Sequence, residues 1–187
     1  ARERALEEQR RLEEEQQRRI AAAREGEGLA AGEEFAPADD EMTNVDLINI
    51  NPESIKRNSL NFAGAKGRLT RPARGQIVTA YGQELSKGVT SKGIVFKTRG
   101  SAQIIAPYDG SVIFSGPFKG YGNLIIIDHG QGYVSLLAGM RSVDAEIGQM
   151  VLAGEPVGIM PDTDSAKLYM EIRKNQRPVN PAPWLGG

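Results

Sequence analysis

The sequence predicts a mainly β domain of the sandwich or barrel type, preceded by an α-helical arm. From Gly67 onward, short apolar segments alternate with glycine-containing turns, which is typical of all-β sandwiches and barrels. Residues 166–173 alternate strictly between apolar and polar side chains, as a β-strand with one buried face does. Residues 1–25 are rich in strong helix formers and contain neither proline nor glycine, so they predict a helix.

The composition excludes several classes of function. Cysteine is absent and there is one histidine, so the chain has no disulfide, no thiol nucleophile and no thiolate metal site. No segment approaches the roughly 18 consecutive apolar residues that a membrane-spanning helix needs. A length of 187 residues with 40% hydrophobic content supports one sizeable domain and an extension.

Charge is distributed unevenly along the chain. Residues 1–66 carry 10 Lys/Arg against 15 Asp/Glu, whereas residues 67–187 carry 13 against 9. An acidic arm attached to a mildly basic domain permits intramolecular docking, and two separately solvated surfaces are the alternative interpretation. The weak basicity of the domain argues against nucleic acid as a partner.

The N-terminal part divides into three segments. Residues 1–25 pair Glu and Arg at helical spacing and predict a solvated helix or the end of a longer coiled coil. Residues 26–44 mix glycine, proline and acidic residues, and predict a flexible acidic linker. Residues 45–66 predict a docking or restraining arm with a short helix that begins at Asn51-Pro52. The apolar residues of this arm are Leu47, Ile48, Ile50, Ile55, Leu60 and Phe62.

Residues 67–187 predict the β domain, and its last long strand carries the most informative pattern. The apolar side chains of this strand are Ala166, Leu168, Met170 and Ile172, which predict the buried face. The other face carries Lys167, Tyr169, Glu171 and Arg173. Such a polar row indicates either a solvated surface or the floor of a binding site.

The order of short motifs in this domain resembles the lysostaphin/LytM-type metallopeptidase domain. The motifs include Gly67-Arg-Leu-x-x-Pro72, Ser91-Lys92-Gly93-Ile94, Gly120-Tyr-Gly-Asn123, Ile127-Asp-His-Gly130 and Val179-Asn180-Pro181. The resemblance covers about residues 67–184. Together with the preceding helical arm, it is similar to the branch of EnvC-type murein hydrolase activators, whose members do not cut peptidoglycan.

The departures from the peptidase pattern bear directly on function. Active members of the family hold zinc with a His-x-Gly-x-Asp motif and the second His of a His-x-His-x-Glu strand. At the three ligand positions this chain has Ser91, Val95 and Tyr169, and at two catalytic histidine positions it has Lys167 and Gly139. The resemblance therefore implies a protein that is not an enzyme and needs no metal or other cofactor. It also implies a structural turn position for His129 rather than a ligand role.

What the resemblance implies about function is activation of another enzyme. The expected partners are periplasmic N-acetylmuramoyl-L-alanine amidases that split septal peptidoglycan during cell separation, and an upstream division complex bound through the coiled coil. The expected location is the periplasm of a Gram-negative bacterium, and the N-terminal arm is expected to cover the binding groove. By carry-over, the groove is lined by Tyr81, Ser91, Lys92, Val95, Leu137, Gly139, Lys167, Tyr169, Glu171 and Arg173. The alternative is a peptidoglycan-binding or scaffolding module of the division machinery that activates no amidase.

Overall fold

The computed structural model describes residues 61–186, and this part of the chain is mainly β. Glycine turns separate segments rich in β-branched and aromatic residues, which favour extended backbone. The strands are β1 (Gly75–Thr79), β2 (Glu84–Ser86), β3 (Val89–Thr90), β4 (Ile94–Thr98), β5 (Gln103–Ile105), β6 (Gly110–Phe118), β7 (Gly122–Asp128), β8 (Tyr133–Met140), β9 (Ser142–Val143), β10 (Met150–Val151), β11 (Pro156–Ile159), β12 (Lys167–Lys174) and β13 (Arg177–Val179). Two short 3-10 helices, Ala63–Ala65 and Ala182–Trp184, lie at the two ends of the described chain.

The strands form one large antiparallel sheet and two small ones. The large sheet has eight strands in the order β1-β4-β12-β8-β7-β6-β10, with β13 paired to β12. A three-stranded sheet has the order β5-β11-β9, and β2 pairs with β3. The mainly β prediction is therefore confirmed. The sheets are not closed into a barrel, because β1 and β10 end the large sheet without pairing to each other.

The main hydrophobic core covers one face of the large sheet. Leu168, Met170 and Ile172 of β12 are fully buried in it, which confirms the apolar face predicted for this strand. Ile104 of β5 and Val157 of β11 belong to the same cluster, so the large sheet and the three-stranded sheet share one core. The layered packing follows from strands that each offer an apolar face to the other sheet.

Phe62 belongs to this core, although it was predicted to lie on the restraining arm. Its ring stacks on His129 with centroids 4.5 Å apart and on Trp184 with centroids 4.9 Å apart. The Tyr133 ring lies 5.0 Å away. A buried aromatic side chain contributes a large apolar area to a core. The domain core therefore begins at Phe62, upstream of the predicted boundary at Gly67.

The two ends of the described chain are held together next to this aromatic cluster. The Leu69 amide donates to the Trp184 carbonyl at 2.9 Å, and the Gly186 amide donates to the Leu69 carbonyl at 2.8 Å. The predicted helical segment 1–25, the linker 26–44 and the arm residues Leu47, Ile48, Ile50, Ile55 and Leu60 lie outside the described residues. Within residues 61–186, no helix has the length and apolar character needed to cross a membrane.

Candidate functional site

Three of the four residues in the polar row of β12 form a buried hydrogen-bonded network. The Tyr169 hydroxyl donates to Glu171 Oε2 at 2.7 Å, and Arg173 Nε donates to Glu171 Oε1 at 2.5 Å. The exposed fractions are 0% for Tyr169, 1% for Glu171 and 7% for Arg173. The three side chains share a face because they lie two residues apart on one strand. Of the two sequence interpretations, the solvated surface does not describe them.

The protonation of Tyr169 is fixed by this environment. Burial raises the pKa of the Tyr169 hydroxyl far above its ordinary value, and the charge of Glu171 raises it further. The phenol is therefore neutral and donates a hydrogen bond to the Glu171 carboxylate. The Arg173 guanidinium supplies the opposite charge to that carboxylate, as a buried charge requires.

A second apolar cluster continues this side of the sheet. Its buried members are Val95, Tyr121, Leu124, Ile126, Leu136, Ala138 and Tyr169. We call the surface formed by this cluster with Glu171 and Arg173 the Tyr169 face. Tyr121, Leu124, Ile126, Leu136 and Ala138 were not predicted to belong to a site. For the four strand residues, the available signal was the apolar runs 124–127 of β7 and 136–138 of β8, which indicate strands buried on both faces.

Three residues that the resemblance assigned to zinc-ligand positions, Ser91, Val95 and Tyr169, lie on or beside neighbouring strands. Tyr169 pairs directly with Val95 on β4, so their side chains leave the sheet on the same face. Gly93 lies against the phenol, since a Cβ atom at this position would be 2.8 Å from the Tyr169 ring. Ser91 is buried beside it and donates its hydroxyl to the Gly93 carbonyl at 2.9 Å.

These three residues do not fit a zinc ion. A catalytic zinc takes imidazole, thiolate or carboxylate donors from about three side chains. Here Val95 offers no donor atom, the Ser91 hydroxyl is bonded to a carbonyl, and the Tyr169 phenol stays protonated against Glu171. Residues 61–186 contain no group of three or more His, Cys, Asp or Glu side chains placed to hold a metal.

Leu137 does not line the Tyr169 face. The register pairs Tyr169 with Ala138, so Ala138 shares its face and Leu137 lies in the main core on the opposite side. The assignment taken from the family pattern differs from the structure by one residue, and neighbouring residues of a strand face opposite sides of a sheet. This position of the predicted groove is therefore corrected from Leu137 to Ala138.

Backbone geometry explains why a glycine occupies position 139. It has a φ of +94°, a conformation that residues with a Cβ rarely adopt. A Cβ atom on Gly139 would lie 2.5 Å from the Lys167 carbonyl oxygen. The glycine therefore permits close approach of β8 to the beginning of β12.

The remaining residues of the predicted groove are more exposed than Tyr169 and Glu171. Lys167 is exposed and pairs across the sheet with Lys97, which is also exposed. Lys92 is half-buried in the turn before β4. Tyr81 is 36% exposed, and its hydroxyl donates to the Pro178 carbonyl at 3.4 Å. Lys167 and Lys97 thus border a face whose centre is buried.

His129 lies on the other side of the sheet, in a structural network. Its Nδ1 lies 2.7 Å from the Asp109 carbonyl oxygen and its Nε2 lies 2.8 Å from the Ser135 hydroxyl. A carbonyl can only accept, so Nδ1 carries the proton and the Ser135 hydroxyl donates to Nε2. Burial lowers the pKa of His129 to about 4, which keeps the ring neutral. The structural role predicted for this residue agrees with these contacts.

The comparisons with known proteins identify the domain. Residues 89–181 match the model of Peptidase family M23. The murein hydrolase activator EnvC of Escherichia coli is 31% identical over 137 residues, which cover 72% of this chain and 33% of EnvC. The murein hydrolase activator NlpD of Escherichia coli is 36% identical over 117 residues, which cover 61% of this chain and 30% of NlpD.

A solved structure agrees with this fold. The catalytic domain of lysostaphin from Staphylococcus simulans superposes with a TM-score of 0.52 at 17% identity, covering 59% of this chain and 91% of that domain. The likeness to lysostaphin at this identity concerns the fold alone. The matched region spans about a third of the length of EnvC and NlpD. The β domain of this chain belongs to peptidase family M23, the LytM type, and is homologous to the murein hydrolase activators EnvC and NlpD.

Proposed function

We propose that this protein activates periplasmic N-acetylmuramoyl-L-alanine amidases without cleaving peptidoglycan itself. One observation carries the proposal: Ser91, Val95 and Tyr169, which the family resemblance assigns to the three ligand positions, offer no donor set that suits zinc. Homology to two murein hydrolase activators also supports an activating role. Activation would occur at the septum, where amidases split peptidoglycan during cell separation.

The Tyr169 face is the proposed amidase-binding surface. Large aromatic and arginine side chains with an apolar cluster beside them are the composition of interface hot spots. Exposed Lys167 and Lys97 at its border would attract an acidic segment of the partner and set its orientation. A peptide-binding groove that has lost its chemistry can hold a helix or a strand of another protein.

The burial of this face supports autoinhibition. Tyr169 and Glu171 are buried, so a partner that contacts them requires a rearrangement first. We propose that the arm formed by residues 45–60 covers the face and that an upstream division complex, acting through the coiled coil, displaces it. Phe62 is not part of this displaceable arm, because it stacks in the main core with His129 and Trp184.

A dye-release assay on labelled sacculi tests the activation directly. The amidase alone, the protein alone and the two together are compared, and only the mixture should release dye above the amidase baseline. Lys167→Glu combined with Tyr169→Ala should abolish the increase, whereas the exposed substitution Lys119→Glu should preserve it. Dye release by the protein alone would refute the non-enzyme part of the proposal.

Deletion of residues 1–60 tests the arm separately. The cut must stop before Phe62, because removing that residue would open the core. We expect tighter binding of the truncated protein to the amidase, measured by titration calorimetry. Equal affinity of the full and truncated chains would overturn the arm proposal while leaving the activator proposal standing.

A further inference from the structure

An arginine-rich cavity lies away from the Tyr169 face. It has a volume of about 930 Å³ and is formed by residues 68–75, by Arg99 after β4, by Ala102, Gln103 and Ile105 in and before β5, and by Gly186. None of its lining residues belongs to the Tyr169 face. A cavity of this size is typical of sites that hold a small molecule or a short peptide segment.

Four arginine residues line this cavity. They are Arg68, Arg71, Arg74 and Arg99, all of which are exposed. Among the described residues, the lining contains no Asp or Glu. The single ion pair within residues 61–186 joins Arg173 and Glu171, neither of which lines the cavity. The four positive charges are therefore not neutralised by carboxylates within residues 61–186.

Backbone contacts orient two of these arginines without cancelling their charge. Arg68 Nη2 donates to the Gly64 carbonyl, and Arg71 Nε donates to the Gly186 carbonyl at 3.4 Å. Asp162 lies beside Gly100, the residue after Arg99, and forms no ion pair with the cluster. Like charges held around one concavity repel each other, and a bound anion relieves that repulsion.

The chemistry of the lining narrows the ligand class. Arginine is the side chain that best matches carboxylate and phosphate oxygens, because its planar fork can donate two parallel hydrogen bonds. The described lining has no aromatic side chain, so it offers no stacking platform for a base or for the face of a sugar ring. Charge-assisted recognition of an acidic peptide fits the cavity better than recognition of a glycan.

We propose that this cavity binds the carboxylates of peptidoglycan stem peptides. The choice of peptidoglycan as the source of the acidic peptide rests on the proposed function, which brings the protein to the cell wall. Because the cavity is separate from the Tyr169 face, the protein can hold the wall with one surface and an amidase with the other.

The test is co-sedimentation of the full chain with isolated sacculi over a range of salt concentrations. Arg71→Glu with Arg74→Glu should weaken sacculus binding roughly tenfold, the scale of one lost charge-assisted contact, and should flatten its salt dependence. Lys119→Glu with Arg141→Glu makes the same change of charge at exposed positions outside the lining and should bind like the unmodified chain. Equal binding by the cavity variant and the control variant would overturn the proposal.

Two further arms identify the source of the anion and separate this site from the proposed function. Free stem peptide should compete with sacculi, whereas the same peptide with amidated carboxylates should not, and equal competition would count against carboxylate recognition. Binding of the cavity variant to soluble amidase should be unchanged. Loss of amidase binding in the unmodified chain would refute the proposed function, while retained sacculus binding would leave the cavity assignment standing.

Discussion

The two faces of the large sheet are both buried, but they are built from different chemistry. The core face carries apolar side chains and a neutral histidine, His129, whose hydrogen bonds are to a carbonyl and a hydroxyl. The Tyr169 face carries a charged pair, Glu171 and Arg173, next to an apolar cluster. A charged pair contributes less to stability than apolar packing of the same volume. The core face therefore maintains the fold, while the Tyr169 face has the composition of a recognition surface.

The largest effect should come from opening the core face at Phe62. Phe62→Ala removes a fully buried ring that stacks on His129 and Trp184, and should lower the free energy of unfolding by about 4 kcal/mol. Urea unfolding followed by tryptophan fluorescence measures this change. A loss under about 1 kcal/mol would mean that Phe62 is peripheral to the core in solution.

The next effect concerns the charged pair of the Tyr169 face. Glu171→Ala leaves the buried Arg173 guanidinium without its carboxylate and should cost about 3 kcal/mol. The double substitution Glu171→Leu with Arg173→Leu removes both charges and should cost less than the single change, as measured by the same unfolding experiment. A double variant that is less stable than Glu171→Ala would contradict this account of the face.

His129 gives the core face a dependence on pH. Its pKa is about 4 in the folded chain and 6.5 ordinarily, so the unfolded chain binds the proton first as the pH falls. The stabilisation is complete above about pH 6.5 and is lost as the pH falls toward 4, by roughly 3 kcal/mol in total. Unfolding curves at several pH values measure it. His129→Gln should remove this part of the pH dependence, and an unchanged slope in that variant would assign the effect to other groups.

The smallest effect should come from the Tyr169 hydroxyl. Tyr169→Phe keeps the ring in its cluster and deletes the 2.7 Å hydrogen bond to Glu171 Oε2, at a cost of about 1 kcal/mol. Thermal unfolding measures this loss, and amidase titration reports whether the hydroxyl or the ring matters for binding. If Phe is tolerated in binding but Ala is not, the apolar part of the face supplies the affinity.

Much of the fold was predictable from local patterns. Glycine turns between apolar segments predicted the strands, and the alternation of Ala166, Leu168, Met170 and Ile172 predicted one buried face of β12. The same alternation could not tell a solvated polar face from a buried one. The burial of Tyr169 and Glu171 depends on the tertiary packing of that face, where Val95 and Tyr121 cluster with Tyr169.

The amino-acid sequence by itself determined the chemical inventory of this protein. It has no cysteine and one histidine, and it places Ser91, Val95 and Tyr169 in motifs that resemble those of zinc peptidases. Tertiary structure decided which residues share a face, because strand register joins positions far apart in the chain. In the structure Ala138 lies on the Tyr169 face where Leu137 was predicted, and Phe62 lies in the core. Tertiary structure also gathered Arg68, Arg71, Arg74 and Arg99 around one cavity, a juxtaposition that no local pattern contains.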